Sequence, residues 1–241
     1  MKKLIIPLAL GFVCTSFTVI PTTAGSPSAA VVPVHYEVIH PDNSIATSIY
    51  CGANLEEHGL SRAAFDYAWK GYEYLLAHHK ISRQAYLTIC DFSQRSSQKR
   101  MYIIDVEKGQ LVKNTWVAHG KNSGSDFATK FSNTPESLQS SLGFYVTGDT
   151  YIGEHGLSLR VHGMEPGFND KAYERSIVVH GAAYVDGARA RAGVFMGRSF
   201  GCPAVPQNES NSIINLIKKG TCVFIYHPSK NYLQHSKILN D

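Results

Sequence analysis

Residues 176–206 hold a pair of side chains able to do nucleophilic chemistry. An apolar run, Ile177-Val178-Val179, ends in His180-Gly181, and Ser199-Phe200-Gly201-Cys202-Pro203 follows further along. A thiol attacks as the thiolate, and an imidazole nearby in space is the usual base. Small residues around the thiol let backbone N–H groups approach a developing oxyanion. Gly201 and Ser199 meet that need, and Pro203 fixes the direction of the chain leaving Cys202. The plain alternative is a buried structural cysteine with a strand-end histidine, since an unpaired cysteine is among the most buried residue types. Spacing alone leaves both open.

These side chains need a frame. Ser61 predicts a helix start over 61–79, with Ala64, Ala68, Tyr72 and Leu75 at helical spacing and Phe65, Trp69 and Leu76 widening the stripe. From residue 85 the pattern turns to β. Runs at 85–92, 100–107 and 110–119 read as strands, with a hairpin turn at Lys108-Gly109. Runs at 142–146, 158–162, 176–180 and 221–226 continue the series. Asn208 reads as the cap of a short helix whose apolar face is Ile213, Ile214, Leu216 and Ile217, closed by Lys218-Lys219-Gly220. The sum is a mainly β domain, a sandwich or open barrel with an N-terminal helix and a short C-terminal helix on its flanks.

Composition narrows the class. The chain has 241 residues, 44% apolar and 17% charged, which suits a sizeable core and excludes a disordered chain. The net charge of +4 includes Lys2 and Lys3, so no nucleic-acid partner is expected. Residues 1–24 read as a signal peptide: a Lys2-Lys3 start, an apolar run from Leu4 to Ile20, and the small-residue site Thr22-Thr23-Ala24. Export follows, to the periplasm or cell envelope, with a membrane met only through that leader. Residues 25–54 read as a linker, 55–228 as the main domain with a helical annex at 55–80, and 229–241 as a tail.

Beyond the leader stand Cys51, Cys90, Cys202 and Cys222. If Cys202 is a nucleophile it stays free. Cys51 with Cys90 is then the preferred disulfide, and Cys222 is a core thiol. His155, His162 and His180 raise a metal alternative, since strand-end histidines can converge on zinc. No His-Glu-x-x-His or Cys-x-x-Cys pairing supports it. Gly120-Lys121-Asn122-Ser123-Gly124 lacks the P-loop spacing, and no Gly-x-Ser-x-Gly elbow is present. Ser140-Ser141 and Asn133 read as turn residues that satisfy local backbone. Asn169-Asp170 and Arg175 flank the histidine strand and are placed to fix its loop.

A long series of in-order segments carries a resemblance. It runs through Asp91-Phe92-Ser93, Lys99-Arg100-Met101-Tyr102, Val117-Ala118-His119-Gly120, Asn122-Ser123-Gly124 and Phe131-Ser132-Asn133. It continues through Ser140-Ser141-Leu142-Gly143-Phe144-Tyr145-Val146-Thr147-Gly148, Gly167-Phe168-Asn169 and Arg198-Ser199-Phe200-Gly201-Cys202-Pro203-Ala204-Val205-Pro206. Over 55–228 the chain resembles the murein L,D-transpeptidase catalytic domain family, the YkuD-like L,D-transpeptidases. That likeness implies a thioester enzyme acting on peptidoglycan stem peptides, as donor and acceptor, without metal or organic cofactor. It implies Cys202 as nucleophile and His180 as general base. The Gly201 and Cys202 amides would form the oxyanion hole, with Ser199 supporting the thiol loop. His162, Gly181, Tyr184, Arg198 and Phe200 would line the cleft. Three features depart from the common family pattern. Phe200 stands where relatives carry a histidine, Pro203-Ala204 follow the cysteine, and the gap from His180 to Cys202 is longer. The alternatives are an L,D-carboxypeptidase, with water opening the thioester, and a non-catalytic wall-binding module.

Overall fold

The computed structural model describes residues 44–241, so the leader and the first part of the expected linker lie outside the described residues. Eight strands form one sheet: β1 (Tyr86–Asp91), β2 (Met101–Asp105), β3 (Gln110–Thr115), β4 (Gly143–Gly153), β5 (Gly156–Gly163), β6 (Val178–Ala182), β7 (Ala204–Pro206) and β8 (Cys222–Tyr226). Their spatial order is β3-β2-β1-β8-β4-β5-β6-β7. Most neighbours are antiparallel, while β1 with β8 and β6 with β7 run parallel. Beyond β3 the chain bridges to the far edge, Ala118 to Ala204 and Gly120 to Ser199. The sheet therefore nearly closes on itself, as the mainly β, open-barrel expectation requires. That near-closure brings the segment after β3 against the segment that carries Cys202.

Helices cover the sheet. In α2 (Arg62–Ala77) the Ser61 hydroxyl accepts from the Ala64 N–H at 3.2 Å, and Ala64, Phe65, Ala68, Trp69, Gly71, Tyr72 and Leu75 are buried. The expected cap and stripe are both present. The helix packs on β1 and β8. Gly71 is needed there: a Cβ at this position would lie 1.9 Å from the Phe144 ring, which itself stacks on Phe224 at 4.1 Å. In α4 (Gln207–Ile217) Ile213, Ile214 and Ile217 are buried as expected, but the helix starts from Pro206 with no side-chain cap, not from Asn208. Proline needs no partner for a missing N–H at a helix start.

Several boundaries differ from the sequence expectation. The linker ends sooner, because α1 (Ser44–Gly52) is helical and buries Ala46, Ile49 and Tyr50. Those positions are three and four apart, a helical stripe hidden in a Ser- and Thr-rich context. The Tyr50 hydroxyl donates to Leu60 O at 2.7 Å and ties the helix to the domain. The tail is also structured. Here α5 (Lys230–His235) and α6 (Lys237–Asn240) start from Ser229 and Ser236 and bury Tyr232, Ile238 and Leu239. Their anchor is Glu165, buried, which accepts from Tyr232 Oη at 2.8 Å and from the Ser236 hydroxyl. Helices this short carry too few residues for periodicity to register. Strands β4 and β5 run past 146 and start before 158, forming one long hairpin. Strand β6 begins two residues later than the expected 176, β3 stops at Thr115, and β7 and α3 (Gly187–Arg191) were not anticipated.

Cys51 and Cys90 do not pair. Cys51 is exposed on α1, Cys90 is fully buried in β1, and both are free thiols. Burial pushes the Cys90 thiol up to about 12, which keeps it protonated and unreactive. Cys222 is buried in β8, the core thiol expected.

Candidate active site

The parallel β6–β7 pairing sets His180 beside Ala204. Extended two residues back, that register places Cys202 beside Val178, on the same face of the sheet as His180. The Val178 N–H donates to Cys202 Sγ at 3.4 Å, and Sγ also lies 3.7 Å from Ser176 O. Both reactive side chains line one cleft of about 490 Å³. Two other clefts, of about 250 and 240 Å³, contain no cysteine.

The imidazole has a fixed tautomer. His180 Nδ1 lies 2.9 Å from Gly181 O. A carbonyl only accepts, so Nδ1 carries the proton and Nε2 is left basic. Burial lowers the His180 pKa from its ordinary value, the Gly181 bond opposes that shift, and the neighbouring His155 lowers it further. Burial raises the Cys202 thiol, while the Val178 N–H, Arg175 and its own amide pull it back. Both shifts favour the uncharged forms, a thiol at Cys202 and a neutral imidazole at His180.

A rigid loop presents the cysteine. Ser199 Oγ donates to Cys202 O at 2.7 Å and accepts from the Gly201 N–H at 3.2 Å. This is the support expected of Ser199. It also commits the Gly201 amide, one of the two expected oxyanion donors, while the other, the Cys202 amide, lies against its own Sγ. Gly201 has φ +120°, and a Cβ there would meet Gln139 O at 2.7 Å. Only glycine suits such backbone at such close quarters. Ser140 Oγ donates to Gly201 O at 3.1 Å and accepts from the Gly120 N–H at 3.0 Å.

The expected lining residues divide. Tyr184, Arg198 and Phe200 line the cleft with Cys202 and His180. Phe200 is 67% exposed, with Lys121 Nζ 4.6 Å from its ring centre. Burial and the nearby cysteine push the Tyr184 hydroxyl up to about 12, so it stays a hydrogen-bond donor. Gly181 does not line the cleft; it faces α4, where a Cβ would lie 2.6 Å from Ser210 Oγ. His162 lies elsewhere too, exposed and stacked on Tyr173 at 5.8 Å. Strand alternation explains this: Val161 takes the inward position and His162 the outward one. The three histidines of the metal alternative are thus divided. Among the described residues no group of three or more His, Cys, Asp or Glu is arranged to hold a metal ion.

Three further positions bear on the site: His155, weighed in the sequence only as a metal ligand, Arg175, read only as fixing a loop, and Arg100, given no role. His155, at the tip of the β4–β5 hairpin, stacks on His180 with ring centres 4.3 Å apart. Arg175 lines the cleft and donates to Ser132 O at 2.7 Å and Gln139 O at 2.5 Å, both neutral acceptors. Its unneutralised charge favours the Cys202 thiolate. Behind the cysteine loop, the fully buried Arg100 donates through Nη2 to His119 Nδ1 at 2.7 Å. His119 O in turn accepts from the Ser199 N–H at 3.3 Å. The available signal for Arg100 was a charged residue opening an otherwise apolar strand.

His119 makes a prediction about acid. Arginine only donates, so His119 Nδ1 is unprotonated and Nε2–H donates to Gly124 O at 3.3 Å. Burial, then Arg100, lowers its pKa from 6.5 to about 4. The folded state therefore takes up a proton later than the unfolded state. Its stabilisation is full above the ordinary value of 6.5 and is lost as pH falls towards about 4. The loss by pH 4.5 should be about 2–3 kcal/mol. His180 and His227 act in the same direction, and Glu165, whose pKa is raised, opposes them. Urea midpoints at pH 7 and 4.5 should lie further apart in the wild type than in His119→Gln, which can accept from Arg100 without titrating. Equal losses in the two proteins would place the acid sensitivity elsewhere.

A profile of the L,D-transpeptidase catalytic domain matches residues 56–226, and the chain belongs to that family. Among solved structures it is similar to an L,D-transpeptidase from Mycobacterium smegmatis, with 12% identity, TM-score 0.37 and 59% of each chain covered. It is also similar to an L,D-transpeptidase from Mycobacterium tuberculosis, with 14% identity, TM-score 0.36 and 59% of this chain and 58% of that one covered. A third is the helical cell shape determining protein Pgp2 from Campylobacter jejuni, with 14% identity, TM-score 0.37 and 71% and 58% covered. The chain thus spans under two thirds of the length of these structures. A search of curated proteins finds no match. Membership in the family rests on the profile match.

Proposed function

We propose that this protein is an exported cysteine L,D-transpeptidase that cross-links peptidoglycan stem peptides. The observation that carries this reading is the thiol of Cys202 sharing one cleft with His180, whose Nδ1 is held on Gly181 O. Cys202 Sγ attacks the carbonyl of the third, L-centred residue of a stem tetrapeptide while its proton passes to His180 Nε2. The Cys202 amide faces the oxyanion. The carbon–nitrogen bond breaks, and the terminal D-alanine leaves with the proton from His180. An amine of a neighbouring stem then gives up a proton to His180 and attacks the thioester. Sulfur departs, and a 3→3 amide link remains. Thiolate suits both halves, as strong nucleophile and good leaving group. The sequence signs of a leader support export to the cell envelope.

The test is to incubate the protein with a purified stem tetrapeptide, with and without an amine acceptor peptide. A 3→3 dimer made only with acceptor is the expected result. Tripeptide alone in both arms would make it an L,D-carboxypeptidase. No product, together with a Cys202 inert to iodoacetamide, would leave a wall-binding module.

A further inference from the structure

The β4–β5 hairpin closes through a two-residue turn, Glu154-His155, between the paired Gly153 and Gly156. Gly156 takes φ +77°, a conformation that suits glycine. A turn this short holds its residues in place. The turn delivers the His155 ring onto the His180 ring, 20° from parallel, in the wall of the cleft that contains Cys202. No hydrogen bond does this work: the Gly181 carbonyl holds one edge of His180, and His155 covers its face.

We infer that His155 is a positioning residue for His180, holding the plane of the base by stacking and setting a second imidazole against its face. This rests on reading His180 as the base. Stacking limits rotation about the ring's remaining free torsion, so Nε2 stays aimed into the cleft. A proton on His155 makes a second proton on His180 costly, which reserves Nε2 for the proton of Cys202. The His180 pKa is lowered in this direction. The other groups facing this pair are Glu154 beside His155, Tyr151 and Ser158 of the hairpin, and Arg175, Tyr184, Arg198 and Cys202 across the cleft. Glu154 is the anion next to His155 in the turn, and Arg198 is a cation of the same cleft. Both are exposed and screened, so the contact of the two rings is the closest coupling.

The experiment uses the full chain without substrate. His180 ring resonances are titrated by NMR in a Cys202→Ala background carrying His155→Phe or His155→Ala. Both should raise the His180 midpoint by roughly half a unit, the effect of one like charge in a solvated cleft. Alkylation of Cys202 by iodoacetamide at pH 7 then separates the two roles in chains that keep the thiol. Phenylalanine retains the stack and should stay within about twofold of wild type, whereas alanine frees the ring and should slow alkylation roughly tenfold. An unmoved His180 midpoint in both variants, or equal alkylation in the two, overturns the inference. Neither readout needs turnover, so a chain with the shifted midpoint but no peptide product would sink the proposed function and leave the histidine pair standing.

Discussion

Cys202→Ser should abolish the acyl-enzyme and lower turnover of a stem tetrapeptide by at least ~10⁴-fold. The change is nearly isosteric, and the hydrogen-bond partners of Sγ are the Val178 N–H and Ser176 O. Its size follows from matching acid to base. A thiol with an ordinary pKa of 9.0, raised by burial, is within reach of a neutral imidazole. An alcohol is far less acidic, and burial and His155 have made His180 a weaker base than usual. The site is thus tuned to sulfur and should not run on oxygen. Intact-mass measurement after mixing with substrate reads the adduct directly. Thermal melting of the variant should stay close to wild type, because the loop is held by Ser199, Ser140 and Gly201 and not by Sγ. An undiminished adduct in Cys202→Ser would place the nucleophile elsewhere.

The pair proposed for this reaction could be picked out in the sequence because its two segments are local. His180-Gly181 closes a β-run and Ser199-Phe200-Gly201-Cys202 is a compact motif, so residue types and order were enough. The flanking helix announced itself through Ser61 and a sixteen-residue amphipathic repeat. What stayed hidden depends on strand pairing. His155 meets His180 only because β5 lies between β4 and β6, a fact of sheet order that periodicity does not contain. His162 was expected in the cleft on the family resemblance, and the pleat turns it outward. Gly201 looked like an oxyanion donor because glycine backbone is open, but its N–H is spent on holding Ser199. The disulfide expectation failed on burial: compartment and cysteine count cannot say that Cys90 sits wholly inside β1 while Cys51 faces solvent.

The largest effect on the fold away from the cleft should come from Arg100→Leu. Arg100 is 0% exposed, yet no carboxylate bonds to it. Its guanidinium donates twice to Val117 O, at 3.0 and 2.9 Å, once to Gln94 O at 2.8 Å, and once to His119 Nδ1 at 2.7 Å. It also lies 4.6 Å from the centre of the Phe92 ring. Burial lowers its pKa to about 10, still charged at neutral pH. Leucine fills much of the volume but leaves the buried Val117 O and His119 Nδ1, and the part-buried Gln94 O, without their donor. The expected loss is about 3–5 kcal/mol, read as a fall in the urea midpoint. Arg100→Lys should recover only part of it, since one ammonium cannot span the fork. The damage should reach the cysteine. Val117, Ala118 and His119 form the seam where the sheet nearly closes, through Ala118 N–H to Ala204 O at 2.8 Å and Ser199 N–H to His119 O at 3.3 Å. Loosening that seam should slow alkylation of Cys202 even under conditions where Arg100→Leu remains folded. A variant with less than ~1 kcal/mol of destabilisation and wild-type alkylation would show that the seam holds without its buried cation.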